Sequence, residues 1–351
     1  MRLAASSFVA LLLAVDALAQ TQLSEEDAYN PIPSPDGTKI AAVRTGWFRP
    51  GGSGGLGRSN LVSEIILLDR AGRTLSRKPL SDGFAGEWKK EGIVSFRDWS
   101  YALLAEDGSI LRHGGVVCPP QPGPCEERVA YLSKAGSFVW ARQAGGDLTL
   151  MTAAGALSPR SPAKRPGIWL APSPDERFIA VGPGRPGESL SIYDTQAGVW
   201  FDFGKAMIHP DELWNWMEAS WDPWFADGSR LAYFTADGLM VSSADGSEKR
   251  VVLRVQEPAG LAVPSPDGRA VAYATFASRP RTSGGGNLPV WNCTGIYVVD
   301  LERPARPRRL TGESQASTYG LRWVDDRHLV FDRVEDGIPR RARLWTIEVE
   351  R

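Results

Sequence analysis

The sequence predicts an all-β fold: a single β-propeller of seven four-stranded blades, six being the alternative, closed into a ring by its N-terminal strand. Three observations carry this. The phrase Pro33-Ser34-Pro35-Asp36-Gly37 returns as Pro264-Ser265-Pro266-Asp267-Gly268 and, imperfectly, as Pro172-Ser173-Pro174-Asp175-Glu176. The copies start at residues 33, 172 and 264, and the gaps of 139 and 92 are three and two periods of about 46, close to the length of a propeller blade. Weaker turns at the same phase fill the gaps, and a leucine–hydroxyl signature missing from the last repeat stands instead near residue 23.

Each turn closes a hairpin for a physical reason. In Ser34-Pro35-Asp36-Gly37 the proline presets φ for a type I turn, aspartate suits the next position, and glycine takes the left-handed conformation that follows. Glu176 stands where glycine is expected. A basic residue and a short apolar run follow each turn, at Lys39 to Val43, Arg177 to Val181 and Arg269 to Tyr273, and these read as buried strands. The weaker turns are Lys134-Ala135-Gly136, Ala226-Asp227-Gly228 and Val324-Asp325-Asp326, where Asp326 is a type that tolerates the left-handed region. Trp88 to Phe96 supplies one more with a turn one residue longer, which brings the count to seven.

These residues resemble the WD40-like Pro-Asp-Gly repeat of TolB-type β-propellers, and that of the propellers preceding the hydrolase in prolyl-oligopeptidase-type peptidases. The resemblance spans about Thr21 to Glu350. It implies a propeller used as an interaction platform. TolB carries an α/β domain ahead of a six-bladed propeller, whereas this chain has room for neither that domain nor a hydrolase.

Taken in order, residues 1–19 read as a secretory signal peptide, with Arg2, an apolar run from Phe8 to Val15, and Ala17-Leu18-Ala19 before the cut. Residues 20–351 then form one propeller domain, exported and periplasmic or secreted, with no transmembrane segment in the mature chain. Loss of Arg2 and Asp16 leaves 39 basic against 40 acidic residues, so the net charge stays at −1. That balance argues against nucleic acid as a partner. The chain is expected to be a monomer and to need no cofactor.

Strands A to D of each blade should run outward, with the Asp-Gly turn joining A to B. Leu80-Ser81, Leu157-Ser158 and Leu310-Thr311 mark outer strands. The last repeat stops after strand C at Val349, and Leu23-Ser24 carries the displaced signature, so the N-terminal strand should complete that blade. Four connections are long, at 44–60, 113–127, 203–220 and 277–292. All join B to C or D to A and so emerge on one side of the disc, where binding is expected. The Asp-Gly turn side is expected to be inert.

The candidate ligand-binding residues on the loop-rich side are Trp47, Arg49, Trp214, Trp216, Arg279, Arg281 and Trp291. Aromatic and arginine side chains there can stack on sugars or anchor a protein; the competing reading makes the rings a lid over the core. Trp88, Trp140, Trp169, Trp323 and Trp345 read as core. Cys118 and Cys125 flank a proline-rich run and suit a local disulfide in an exported chain, leaving Cys293 as a buried free thiol.

No catalytic or metal-binding residue is assigned. Gly51-Gly52-Ser53-Gly54-Gly55 fits a nucleophile elbow only formally, since no strand and helix flank it. His209 with Asp211 and Glu212 lacks a recognised metal spacing and reads as the start of a short helix. His113 and His328 lie in other repeats. The sequence therefore favours an exported non-catalytic platform for a protein or glycan ligand. The alternative is a glycan lyase or hydrolase with its site in the central depression, which two convergent carboxylates in the channel would favour.

Overall fold

The computed structural model describes residues 20–24, 27–46, 62–80, 84–97, 100–115, 129–144, 147–163, 169–183, 188–210, 221–279, 290–304, 306–313, 318, 320–335 and 341–350. They form seven antiparallel blades arranged in a ring. The ring-closing strand β1 is Gln20–Gln22. Blade 1 is β2 (Tyr29–Pro33), β3 (Lys39–Gly46), β4 (Val62–Asp69) and β5 (Thr74–Leu80). Blade 2 is β6 (Phe84–Lys89), β7 (Gly92–Arg97), β8 (Ser100–Leu104) and β9 (Ile110–Gly115). Blade 3 is β10 (Val129–Leu132), β11 (Ser137–Ala144), β12 (Asp147–Thr152) and β13 (Gly155–Ala156). Blade 4 is β14 (Trp169–Pro172), β15 (Phe178–Gly182), β16 (Ser189–Asp194) and β17 (Val199–Lys205).

Blade 5 contains β18 (Arg230–Thr235), β19 (Gly238–Ser243) and β20 (Lys249–Leu253). Its inner position is held by a single bridge between Trp224 and Leu231, because Pro223 has no N–H to give a ladder. Blade 6 is β21 (Ala259–Pro264), β22 (Ala270–Arg279), β23 (Val290–Asp300) and β24 (Arg308–Arg309). Blade 7 is β25 (Leu321–Trp323), β26 (His328–Glu335) and β27 (Arg341–Glu348), with β1 outermost.

The seven expected turns all join strand A to strand B. In the three full copies the same atoms do the same work. Ser34, Ser173 and Ser265 donate their hydroxyls to the aspartate two residues on, at 2.6, 2.6 and 2.7 Å, and accept the backbone N–H five residues on at 2.9, 3.0 and 3.0 Å. Gly37 takes φ 65°, and a Cβ there would lie 2.4 Å from the Val324 carbonyl oxygen of the neighbouring blade. Glu176 occupies the same left-handed region at φ 57°, a strain of about 1–2 kcal/mol for an L-residue. Its carboxylate offsets this by accepting the backbone N–H groups of Ser133 and Lys134 in blade 3, at 2.6 and 2.8 Å.

Two turn details differ from expectation. In blade 2 the hairpin is shorter, not longer: Lys89 pairs with Gly92, so only Lys90 and Glu91 form the loop. Asp326 is not among the residues with positive φ, because Asp325 ties the turn directly by accepting from the N–H groups of Arg327 and His328 at 2.8 and 2.9 Å.

Ring closure follows the displaced signature. Strand β1 pairs antiparallel with β27, with Gln20 opposite Ile347 and Gln22 opposite Trp345. The leucine–hydroxyl pair acts as a clasp on strand C. Leu23 N–H donates to the Leu344 carbonyl at 2.8 Å, while the Ser24 hydroxyl accepts from Leu344 N–H at 2.9 Å. Leu157-Ser158 grips Leu150 and Leu310-Thr311 grips Ile296 in the same way. A side-chain oxygen thus replaces a backbone carbonyl where the outer strand peels away.

The core lies between blades. One cluster lines the ring, while smaller ones fill the seams, such as Leu23, Ile40, Leu68 and Leu344 between blades 7 and 1. Trp88, Trp140, Trp169 and Trp323 are buried there as expected, and Trp345 is half-buried against the same core.

Candidate functional site

Most of the loop-rich side lies outside the described residues. That holds for Trp47, Arg49, Trp214, Trp216, Arg281, Cys118, Cys125, Asp211, Glu212 and residues 51–55. Arg279 pairs through its backbone with Val290 across β22 and β23. Trp291 sits opposite Ser278 and packs, half-buried, against the main core.

Two of the three histidines are tied into the structure. His113 is exposed on β9. His328 Nδ1 lies 2.9 Å from the Asp325 carboxylate, which also pairs with Arg70 of blade 1 at 2.8 Å. His209 is buried, its Nε2 is 2.9 Å from the Thr318 carbonyl, and its ring meets Phe276 edge-on. Burial pushes its pKa down to about 3, so the imidazole is neutral. Cys293 faces the same Phe276 in register and is a buried free thiol, as expected. Burial pushes that thiol up, so no thiolate–imidazolium pair arises. Among the described residues no group of three His, Cys, Asp or Glu side chains comes together for a metal.

What the fold does assemble is a cavity of about 690 Å³ at the centre of the ring. Its rim is made of the A-to-B turns, including Pro33, Pro35, Pro172, Pro174 and Pro266. It therefore opens on the turn side of the disc. The repeat motif that closes the hairpins also supplies this rim, and proline makes the rim stiff and poor in N–H donors.

Below the rim, the inner strands of blades 2 and 7 contribute Glu87, Lys89 and Arg322, and the segment just before the Trp224 bridge of blade 5 contributes Asp222. Lys89 Nζ and Glu87 Oε1 form an ion pair at 2.5 Å. Burial raises the Glu87 pKa against the pull of Lys89, with Asp222 and Glu176 adding repulsion. For Lys89 burial opposes the charge, yet Glu87 outweighs it and the pKa is raised. Arg322 is only 7 % exposed. Its Nη1 donates to the Leu321 carbonyl at 2.8 Å.

Two atoms at this floor are left over. Arg322 Nη2 and Glu87 Oε2 are buried and have no hydrogen-bond partner among the described residues, as is also true of Ser76 Oγ, Ser191 Oγ, Thr318 Oγ1 and Trp345 Nε1 elsewhere in the ring. An unsatisfied buried polar atom costs about 1–3 kcal/mol, more when charged. Asp222, Asp332 and Glu87 bear on the guanidinium electrostatically, but none forms an ion pair with it. Asp332 is engaged elsewhere, accepting from Asn30 N–H and Gly320 N–H at 2.9 and 3.0 Å.

Sequence reasoning passed over these four residues. A signal existed: Glu87-Trp88 and Arg322-Trp323 each set a charge directly before a core tryptophan in an inner strand. Strand alternation turns one of such a pair toward the core and the other away from it.

No family model matches the chain, and no curated protein matches it in sequence. Solved structures do resemble it. The Pan2 WD40 domain of Neurospora crassa is 12% identical with a TM-score of 0.51, covering 95% of this chain and 99% of that one. The Cps50 (Swd1) β-propeller domain of Myceliophteria thermophila is 12% identical with a TM-score of 0.53, covering 93% and 98%. At such identity the likeness shows the fold, a β-propeller, and nothing finer. The tricorn protease shares 14% identity over 87% of this chain at a TM-score of 0.34, and the chain spans 28% of its length.

Proposed function

We propose that this protein is an exported, non-catalytic binding platform whose partner is a protein, received at the turn-side mouth of the central cavity. The observation that carries it is the floor. Residues of all seven blades line the central cavity, and Glu87, Lys89, Asp222 and Arg322 bring two carboxylates and two cations together there. A cavity of this size with a few convergent polar groups is the ordinary form of a ligand site. Export rests on residues 1–19, and amino-terminal sequencing of the chain recovered outside the cytoplasm should begin at Gln20.

The platform is tested by placing a photo-crosslinking residue at Lys90, on the cavity rim, or at Asn292, at the loop-side end of β23. Irradiation in the producing cells should give a discrete adduct from Lys90 that excess unlabelled chain 20–351 competes away. An adduct from Asn292 alone would move the platform to the loop-rich side with Trp214 and Trp216. No adduct from either position removes the reading.

A second reading is favoured by one observation. Glu87, raised by burial, shares the cavity with Asp222, an exposed carboxylate that adds to that rise. Two carboxyl groups in one cavity are the equipment of glycoside hydrolysis. Glycan cleavage by the mature chain that is lost in both Glu87→Gln and Asp222→Asn would establish it over the platform.

A further inference from the structure

We infer that the outer edge of β9 in blade 2 is a second docking surface, which takes an extended, acidic and apolar segment of another protein as an added strand. It is independent of the cavity mouth. The outermost strand of a sheet presents a row of unpaired N–H and C=O groups, and natural folds blunt such edges with short strands, charges or proline. The other outer edges of this ring are blunted in those ways. Strands β1, β13 and β24 are only three, two and two residues long. Strand β5 carries Arg77, Lys78 and Pro79, β17 carries Asp202 and Lys205, and β20 opens on Lys249 and Arg250.

Strand β9, outermost in its sheet, opens instead on Ile110 and Leu111, which are 62% and 50% exposed. The other large exposed hydrophobics among the described residues are Leu75, Val199 and Val251, each alone on its own outer strand. A bulge sets the pair in β9. Ile110 stands opposite Leu104 and Arg112 opposite Leu103, so Leu111 is the extra residue, and an insertion of this kind re-aims a side chain. Arg112 and His113 are exposed as well. From Arg112 to Gly115 the pairing with β8 is unbroken, so the outer side of that stretch is a regular edge.

Charge identifies the occupant. Arg112 stands in the edge itself, and Lys78 of blade 1 lies against the β8–β9 turn, where a Cβ on Gly108 would come 2.5 Å from its Cγ. The carboxylates of that turn are already engaged: Glu106 pairs with Lys39, and Asp107 accepts from the Ser109 N–H and hydroxyl at 2.8 and 2.6 Å. A basic edge with apolar residues at one end fits a strand in which carboxylates precede apolar side chains, because opposite charges across a ladder attract and like charges repel. The same rule tells against a second copy. Pairing β9 antiparallel with itself about its middle sets Arg112 opposite His113 and leaves Ile110 and Leu111 opposite Gly115 and Gly114, which matches no opposite charges and buries little apolar area.

The test uses the chain from Gln20 to Arg351 and two peptides that differ only in sign, acetyl-Thr-Thr-Glu-Glu-Val-Ile-amide and acetyl-Thr-Thr-Lys-Lys-Val-Ile-amide. In antiparallel register each sets its charged pair against His113 and Arg112 and its apolar pair against Leu111 and Ile110. Backbone amide resonances of residues 110–115 report the site, and their hydrogen exchange reports strand pairing. The acidic peptide should shift those resonances saturably, with a dissociation constant of about 1 mM as expected for so small a ligand, and slow their exchange. The lysine peptide should bind about tenfold more weakly. Arg112→Glu should reverse that preference, and Leu111→Ser should weaken the acidic peptide about fivefold. Both positions are exposed, so the melting temperature of each variant should stay that of wild type.

Equal binding of the two peptides, shifts confined to other strands, or no shift with either would overturn the inference. So would a dimer that forms with rising concentration and itself protects residues 110–115 from exchange, since the edge would then belong to a second copy. The cavity mouth is judged by the Lys90 adduct, so either surface can fail without the other.

Discussion

The rim of the central cavity and its floor lie a few residues apart along the same strands and are built on opposite terms. At the rim each Ser-Pro-Asp-Gly copy closes on itself: Ser265, fully buried, both donates to Asp267 and accepts from Ala270 N–H. At the floor, two residues before the turn position, Arg322 keeps a nitrogen with nothing to bond. The saturated polar atoms of the turns hold the fold, whereas the charges around Arg322 are less completely paired. The same motif even appears where no inner turn is needed, as Ser243-Ala244-Asp245-Gly246 between β19 and β20, with its hydroxyl again 2.7 Å from the aspartate.

That contrast predicts where substitutions hurt. The largest loss should come from deleting residues 20–26. This removes β1, the buried Leu23 and the Ser24 clasp on Leu344, together about 5 kcal/mol from one apolar side chain and several hydrogen bonds. Thermal melting checks it, and an unchanged melting temperature would take the clasp out of the saturated class.

His209 should come next, through pH. Its folded pKa of about 3 lies below the ordinary 6.5, so its stabilising effect is complete above pH 6.5 and is lost as pH falls toward 3. The slope should be about 1.4 kcal/mol per pH unit for a single group. Denaturant melts of wild type and His209→Gln across that window should diverge, the variant being the flatter; parallel curves would mean the imidazole is wetter than its burial implies. Overlapping the acid end of that window, Asp36 and Asp245, both held down to about 2 chiefly by the Ser34 and Ser243 hydroxyls, should drop out as pH falls from 4 toward 2.

At the rim, Ser265→Ala leaves the buried Ala270 N–H unpaired and should cost about 2 kcal/mol in a urea melt. Ser173→Ala should match it, since the network is the same. The smallest effect on stability belongs to the floor. Arg322→Met removes a buried charge that has one carbonyl partner and should leave the midpoint unchanged or raise it slightly, because an apolar side chain of similar length carries no desolvation cost there. A loss as large as that of Ser265→Ala would make the floor structural, and the contrast between the two regions would fail.

How much of this was legible differs by region. The turns were readable because their information is local: proline, aspartate and glycine dictate a hairpin wherever they stand, and their spacing of about 46 residues fixes the blade. The closing strand was readable for the same reason, since Leu23-Ser24 is a short signature whose meaning does not depend on what surrounds it. Blade 5 was less so. Its turn Ala226-Asp227-Gly228 was visible, but that Pro223 reduces the inner strand to one bridge appears only when the ladder is drawn.

The floor was hidden because it is built from contributions far apart in the chain. Glu87, Asp222 and Arg322 each look, in isolation, like one charge in a strand, and only the ring brings blades 2, 5 and 7 around one axis. The sequence by itself determined the blade, its turns, the number of blades and how the circle closes, because each is a local rule repeated at a fixed interval. Tertiary structure alone decided which charges meet at the centre and which of their atoms go unpaired, because burial and hydrogen-bond satisfaction are properties of the closed ring and not of any stretch within it.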